Sequence, residues 1–290
     1  MLDRRYITLS ILATTLSYTK AAQRLFITQP AVSQQINSLE QELDTKLIEK
    51  DGNRIKLTTA GHQLVQYVDK ISFESDRVLQ QIKTKQAKQT IEVGATLSLS
   101  IFLLPTLISH LVRTNPKIKT VIANTNEILT ALRQGKIQFG IVEGNFDKNE
   151  FDAVNIRHEN FVGVTYPDNP LAKYNQLSLD DLMNQTLLIR ELGSGTRDIF
   201  ANWLATQNYT INDFTNQVEV ANPSTIIHLL LNKMGISFMY ESLVTEQLSH
   251  RQLVKLPLKN FDISHPINFV FLKNSYFKPN YLKIAQKLIN

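Results

Sequence analysis

Two groups of polar side chains stand at spacings that could do chemistry. The first is Pro30, Ser33, Gln34 and Asn37, which a helical wheel puts on the side away from Val32, Ile36, Leu39 and Leu43. Those apolar residues recur at spacings of four, three and four, the stripe of an amphipathic helix. Short and amide side chains opposite such a stripe suit contact with base edges, and a glutamine can bond adenine through N6 and N7 together. The second group lies at strand ends. Thr96 and Ser98 follow IEVGA, Gly193-Ser194-Gly195-Thr196-Arg197 follows TLLIRE, and Asn222 and Ser224 stand at the end of NQVEVAN. The first two segments open helices, whose N-termini offer free N–H groups, so hydroxyls beside an arginine suit a carboxylate or an inorganic oxyanion. Taken singly, Ser194, Thr196 and Ser224 read equally well as helix caps. Glu143 ends the IVE strand in the same region, where it would hold a ligand amine or pair with Arg197.

Catalytic constellations are not found. The six histidines include no pair at zinc-ligand spacing, and no G-x-S-x-G elbow, Walker loop or dinucleotide glycine signature occurs. With no cysteine, disulfides, thiolate metal sites and cysteine nucleophiles are excluded. No catalytic residue, metal or cofactor is therefore expected. A length of 290 residues, 43% of them hydrophobic, allows two domains with sizeable cores. A net charge of +5 permits nucleic-acid binding without demanding it. No apolar run approaches the roughly 18 residues of a membrane span, and the N-terminus lacks a leader pattern, so a cytoplasmic protein with no membrane partner is expected.

The elements that must position these residues follow from periodicity. Tyr18 to Leu43 predicts two helices joined by a tight turn, with Thr28 as N-cap of the second, Gln29 next and Pro30 in its first turn. Ala21, Ala22 and Leu25 permit the close crossing of a helix-turn-helix, and Tyr6, Leu9, Ile11 and Leu12 mark a helix beneath it. The alternative is an ordinary helical hairpin in a core. Asp51-Gly52 between Leu47-Ile48 and Ile55/Leu57 signals a β-hairpin, hence a wing. There Lys50, Arg54 and Lys56 would meet phosphates or the minor groove, or else form a solvated surface. Thr58 or Thr59 caps a long helix in which Leu64, Val68, Ile71, Ser75, Val78 and Ile82 form a heptad seam with one polar break. This predicts a dimerisation helix, the alternative being packing against its own C-terminal domain. The lysine-rich segment 83–89 predicts a linker. From Ile91, strands and helices alternate as parallel βαβ units, among them IEVGA, KTVIAN, IQFGIVEG, FVGVTY, TLLIRE and INFVFL.

The run AAQRLFITQPAVSQQINSLEQELDTKLIEKDGNRIKLTTAGHQL resembles the N-terminal domain of the LysR-type transcriptional regulators, and the similarity extends over essentially the whole chain. Two departures stand out: Gln34 where the family often has a basic residue, and Thr59 where it has proline. The resemblance implies an N-terminal α+β winged helix-turn-helix with a long linker helix, followed by an α/β two-lobed effector domain similar to periplasmic binding proteins. The expected domains are 1–60, the helix 61–88, and 89–290, with lobe I at about 89–160 and 267–290 and lobe II at about 161–266. INFVFL would return to complete the first lobe. Thr28, Gln29, Pro30, Ser33, Gln34, Asn37, Lys50, Arg54 and Lys56 would contact double-stranded promoter DNA. Thr96, Ser98, Glu143, Ser194, Gly195, Thr196, Arg197, Asn222 and Ser224 would hold a small, anionic effector. The family pattern, with hydroxyls in the matching places, favours one shared site. A homodimer or homotetramer is implied, with RNA polymerase a further contact. The competing expectation is a small-molecule-binding or enzymatic α/β protein whose helical hairpin does not touch DNA.

Overall fold

The computed structural model describes residues 3–51, 54–83, 90–113 and 117–289. The chain divides into two compact units, one on Met1–Ala87 with Arg133–Lys136 and one on Lys88–Leu132 with Ile137–Asn290.

The first unit opens with α1 (Arg4–Thr15), α2 (Tyr18–Leu25) and α3 (Gln29–Glu42). Its core is Leu9, Leu12, Ala21, Ala22, Val32, Ile36, Leu39 and Leu47, closed by Ile55, Leu57 and Leu64 from the elements that follow. Three of the four stripe residues of α3 are thus buried, but Leu43 is 40% exposed. Leu43 is the C-cap of α3, still right-handed with its N–H on the Leu39 carbonyl at 3.1 Å, and it stands outside the buried cluster that the three other stripe residues join. Strands β1 (Ile48–Asp51) and β2 (Arg54–Leu57) pair antiparallel, Glu49 opposite Lys56. The Gly52-Asn53 tip of the expected hairpin lies outside the described residues. Glu40, buried on α3, accepts the N–H groups of Leu47 (2.9 Å) and Ile48 (3.1 Å) and an ion pair from Lys46, fastening the wing to the helix. Burial opposes its ionisation, but those three bonds outweigh it and hold the carboxyl below its usual range.

Helix α4 (Thr59–Lys83) is capped by Thr58, whose hydroxyl accepts the Gly61 N–H at 3.0 Å and donates to the Lys46 carbonyl at 2.7 Å. Its expected seam is uneven. Val68 is only 3% exposed and Leu64 packs on the three-helix core, whereas Ile82 is 68% exposed. The Ser10 hydroxyl ties α1 to Asp69 on α4 at 2.5 Å. The first turns of the seam therefore serve their own domain, and its far end stands open. Residues 84–89, most of the expected linker, lie outside the described residues.

The second unit begins with β3 (Ile91–Thr96), α5 (Leu97–Phe102), α6 (Leu104–Leu111), β4 (Ile118–Ala123), α7 (Thr125–Arg133) and β5 (Phe139–Val142). The segment after β3 is two short helices, α5 and α6. Pro105 lacks the N–H that would continue the ladder from α5, and its ring crowds the preceding turn. Next come β6 (Phe151–Thr165), β7 (Thr186–Ile189), α8 (Gly195–Thr206), β8 (Asn216–Glu219), α9 (Pro223–Leu231) and β9 (Ile236–Tyr240). The unit closes with α10 (Thr245–Ser249), β10 (Val254–Lys255), β11 (Ile263–Leu272) and α11 (Lys278–Ile289).

Strand order is β4-β3-β5-β11-β6-β9-β7-β8, with β10 on β6. Parallel triplets at either end, β4-β3-β5 and β9-β7-β8, are the two lobes. Between them run β6 and β11, long antiparallel strands that belong to both. Asn268–Val270 of β11 pairs with Gly140–Val142 of β5, the return to the first lobe expected of INFVFL. In lobe I the Tyr281 ring of α11 meets Phe139 at 5.4 Å and Phe271 at 5.2 Å. In lobe II Phe200 of α8 stacks on Phe238 at 3.9 Å.

Candidate DNA-binding and effector-binding sites

The core fixes which side of α3 is free. With Val32, Ile36 and Leu39 inward, Gln29, Pro30, Gln34 and Asn37 are exposed and Ser33 is half-buried. Together with Ser38 and Gln41 they line one shallow concave surface. Ser38 and Gln41 extend the spacing of Gln34 and Asn37 by one turn, a signal the sequence already carried. The Thr28 hydroxyl accepts the Ala31 N–H at 3.4 Å and so sets the direction of the helix start. On the wing, Lys56 is exposed and pairs with Glu49 at 3.5 Å, a contact between solvated groups that is weak and readily exchanged. The side chains of Lys50 and Arg54 lie outside the described residues.

In the second unit the strand-end groups converge, and they do so on one another. Thr96 ends β3 and its hydroxyl donates to Glu143 at the end of β5. Across from them, the Ser98 hydroxyl accepts a bond from Arg190 at 3.2 Å. Ser194 and Thr196 share a hydroxyl–hydroxyl bond of 2.9 Å at the head of α8. The Gly195 N–H donates to the Thr125 hydroxyl, which donates in turn to the Glu143 carbonyl, both at 3.1 Å. These bonds stitch lobe I to lobe II. A Cβ on Gly195 would lie 2.5 Å from the Glu143 carbonyl oxygen, so only glycine permits this approach. Among the described residues no buried side-chain nitrogen or oxygen lacks a partner.

Charge is distributed otherwise than expected. Arg197 faces Glu219 at 2.9 Å and the Arg190 carbonyl at 2.6 Å; it does not pair with Glu143. The position on the first turn of α8 carries its side chain toward β8. The buried cation is Arg190, 5% exposed, which bonds Ser98 and grips Glu191 through both carboxylate oxygens at 2.8 and 3.0 Å. Arg190 sits in TLLIRE one residue past the strand, a place where strand-end reasoning applied to charges as well as hydroxyls would have found it. Burial pushes Glu143 up to about 7, against the opposing effects of the Thr96 bond and the Arg190 charge. Asn222 and Ser224 form a separate pair: the Asn222 side chain accepts the Ser224 N–H at 2.8 Å and caps α9.

Beside the stitched contact, a cavity of about 260 Å³ takes Gly144 and Asn145 from lobe I, Asp198, Asn202 and Trp203 from α8, and His265 from β11. Burial first, and then the neighbouring His158, hold the His265 imidazole below its ordinary value.

A winged helix-turn-helix followed by a two-lobed α/β sensor defines a ligand-responsive, DNA-binding transcription regulator. Residues 4–62 match the bacterial regulatory helix-turn-helix proteins of the lysR family, and residues 84–286 match the LysR substrate binding domain. The chain belongs to the LysR-type transcriptional regulators. It is 25% identical over 258 residues to the HTH-type transcriptional regulator CysL of Bacillus subtilis (strain 168), covering 88% of this chain and 85% of that protein. Among solved structures, ArgP from Mycobacterium tuberculosis superposes with a TM-score of 0.76 at 14% identity, over 100% of this chain and 98% of that one. A full-length OxyR variant from Pseudomonas aeruginosa gives 0.67 at 21% identity, over 99% and 94%. Among the described residues no helix is long and apolar enough to cross a membrane.

Proposed function

We propose that this regulator works in the cytoplasm as a dimer or tetramer and couples a small anionic metabolite, bound between the lobes of its sensor, to promoter reading by α3. Thr28, Gln29, Pro30, Ser33, Gln34 and Asn37 read the major groove while Lys50, Arg54 and Lys56 hold phosphates. The effector's anionic group bonds Arg190, Ser98 and Thr96. The observation that carries the effector reading is the buried Arg190, which forms its ion pair with its own neighbour Glu191. A buried guanidinium is a strong bidentate receptor for a planar anion, and an arriving carboxylate would displace Glu191. Changing the contacts that join the lobes alters their pairing between subunits, and hence DNA spacing and contact with RNA polymerase.

Calorimetric titration of a panel of small carboxylates and inorganic oxyanions tests this. At least one should bind the wild type and bind Arg190→Ala at least tenfold more weakly, the loss of about 1.4 kcal/mol or more expected of a charged hydrogen bond. Equal binding to both proteins would refute the anion site. On DNA, Gln34→Ala should flatten preference at one base pair by about 1–3 kcal/mol. Uniform weakening with preference unchanged would confine Gln34 to backbone contact.

A further inference from the structure

The turn between α2 and α3 holds a residue that the folding of the domain does not explain. Phe26 is 94% exposed, so its ring contributes almost nothing to the core. Its backbone is left-handed, with φ at 56°, where a bulky L side chain is strained and glycine or asparagine is at ease. The turn itself is secured by other groups: the Phe26 N–H bonds the Gln23 carbonyl at 3.3 Å, the Ile27 N–H bonds that of Ala22 at 3.1 Å, and Thr28 caps the next helix. An apolar ring kept in a strained, solvent-exposed position lowers stability and solubility, so it is retained for something outside the domain.

The chain places that ring two residues before the cap of α3 and three before Gln29. In helix-turn-helix proteins the first residues of the second helix contact base edges in the major groove while the first helix crosses the backbone, so the turn that joins them runs between backbone and groove. The one apolar group a major groove displays is the thymine C5-methyl. We propose that Phe26 packs on a thymine methyl at the edge of the site and so adds a base preference beside those of Gln34 and Asn37. This rests on the reading of α3 as the DNA-contacting helix.

The test uses duplexes enriched from a random-sequence pool by the full-length protein, each remade with single thymines replaced by deoxyuridine, which lacks only the methyl. Wild type should lose about fourfold in affinity at one thymine per half-site, the factor that follows from exposing one buried methyl group. Phe26→Asn should lose about as much on the unmodified duplex, show no further loss with deoxyuridine, and melt no lower than wild type. Deoxyuridine sensitivity that persists in Phe26→Asn would overturn the proposal, as would full DNA affinity in that variant. A lowered melting temperature would make Phe26 structural, and an altered oligomeric mass would assign it to a protein contact; either result overturns it too. Gln34→Ala on the same duplexes separates the two readings. If it weakens binding while Phe26→Asn does not, only the methyl contact fails; if neither does, α3 is not the reading helix.

Discussion

At the scale of single residues, the sensor is governed by which polar groups satisfy each other. Thr96 and Glu143, Ser98 and Arg190, and Ser194 with Thr196 are each paired in a region shielded from water. Such pairs cost little while intact, but each leaves an expensive orphan if one partner is removed. Glu143 is the member with a pH signature. Its value of about 7 in the folded protein stands above the 4.5 of an ordinary glutamate. The stability that goes with its neutral form is therefore fully present below 4.5 and is lost as pH rises through about 7. A shift of this size corresponds to about 3 kcal/mol. Glu143→Gln should remove that slope, because the amide stays neutral while still accepting the Thr96 hydroxyl. Urea melts of both proteins across this pH range measure it, and parallel curves would show that Glu143 does not titrate there.

Among the elements, α4 divides its labour along its length. Its first turns complete the winged domain through Leu64 and the Ser10–Asp69 bond, Val68 is buried, and its last turns present Leu79 and Ile82, 37% and 68% exposed. A charge at the two ends should then act differently. Val68→Asp puts a carboxylate into a filled interior and should unfold the domain by several kcal/mol. Ile82→Asp should leave the domain's thermal unfolding unchanged and lower the oligomeric mass in sedimentation. An unaltered mass for Ile82→Asp would remove the end of α4 from the subunit interface.

For the whole molecule, what matters is how the lobes meet. Gly144, at φ +85°, and Gly195 bring backbone against backbone, a Cβ on Gly144 falling 2.9 Å from the Gly195 Cα. β6 and β11 are the two strands that join the lobes in one sheet. Gly195→Ala should wedge the contact, since the opposing atoms are backbone and cannot rotate aside. We expect effector binding to weaken at least tenfold with effector-free DNA affinity retained, as read by calorimetry and by fluorescence anisotropy on promoter duplexes. Unchanged effector affinity in Gly195→Ala would mean that the observed closure is not needed for binding.

The sequence by itself determined the elements and the outward face of α3, because both follow from local periodicity. Val32, Ile36 and Leu39 can be buried only if Gln34 and Asn37 are not, whereas Thr58 rather than Thr59 became the cap of α4 through its bonds to Gly61 and Lys46 in the folded domain. It also carried the family resemblance, since the helix-turn-helix and wing form one contiguous run. Local pattern misled at the edge of a core, as at Leu43 on the end of its helix, and where one stripe runs from buried to exposed, as from Val68 to Ile82. Only the tertiary structure decided that Arg190 and not Arg197 is the buried cation, and that Thr96 meets Glu143, Ser98 meets Arg190 and Thr125 meets Gly195. Those partners lie from 47 to 92 residues apart in pairs such as Thr96 with Glu143 and Ser98 with Arg190. Which strand ends face one another depends on the crossing of β6 and β11, a long-range pairing that no local spacing encodes.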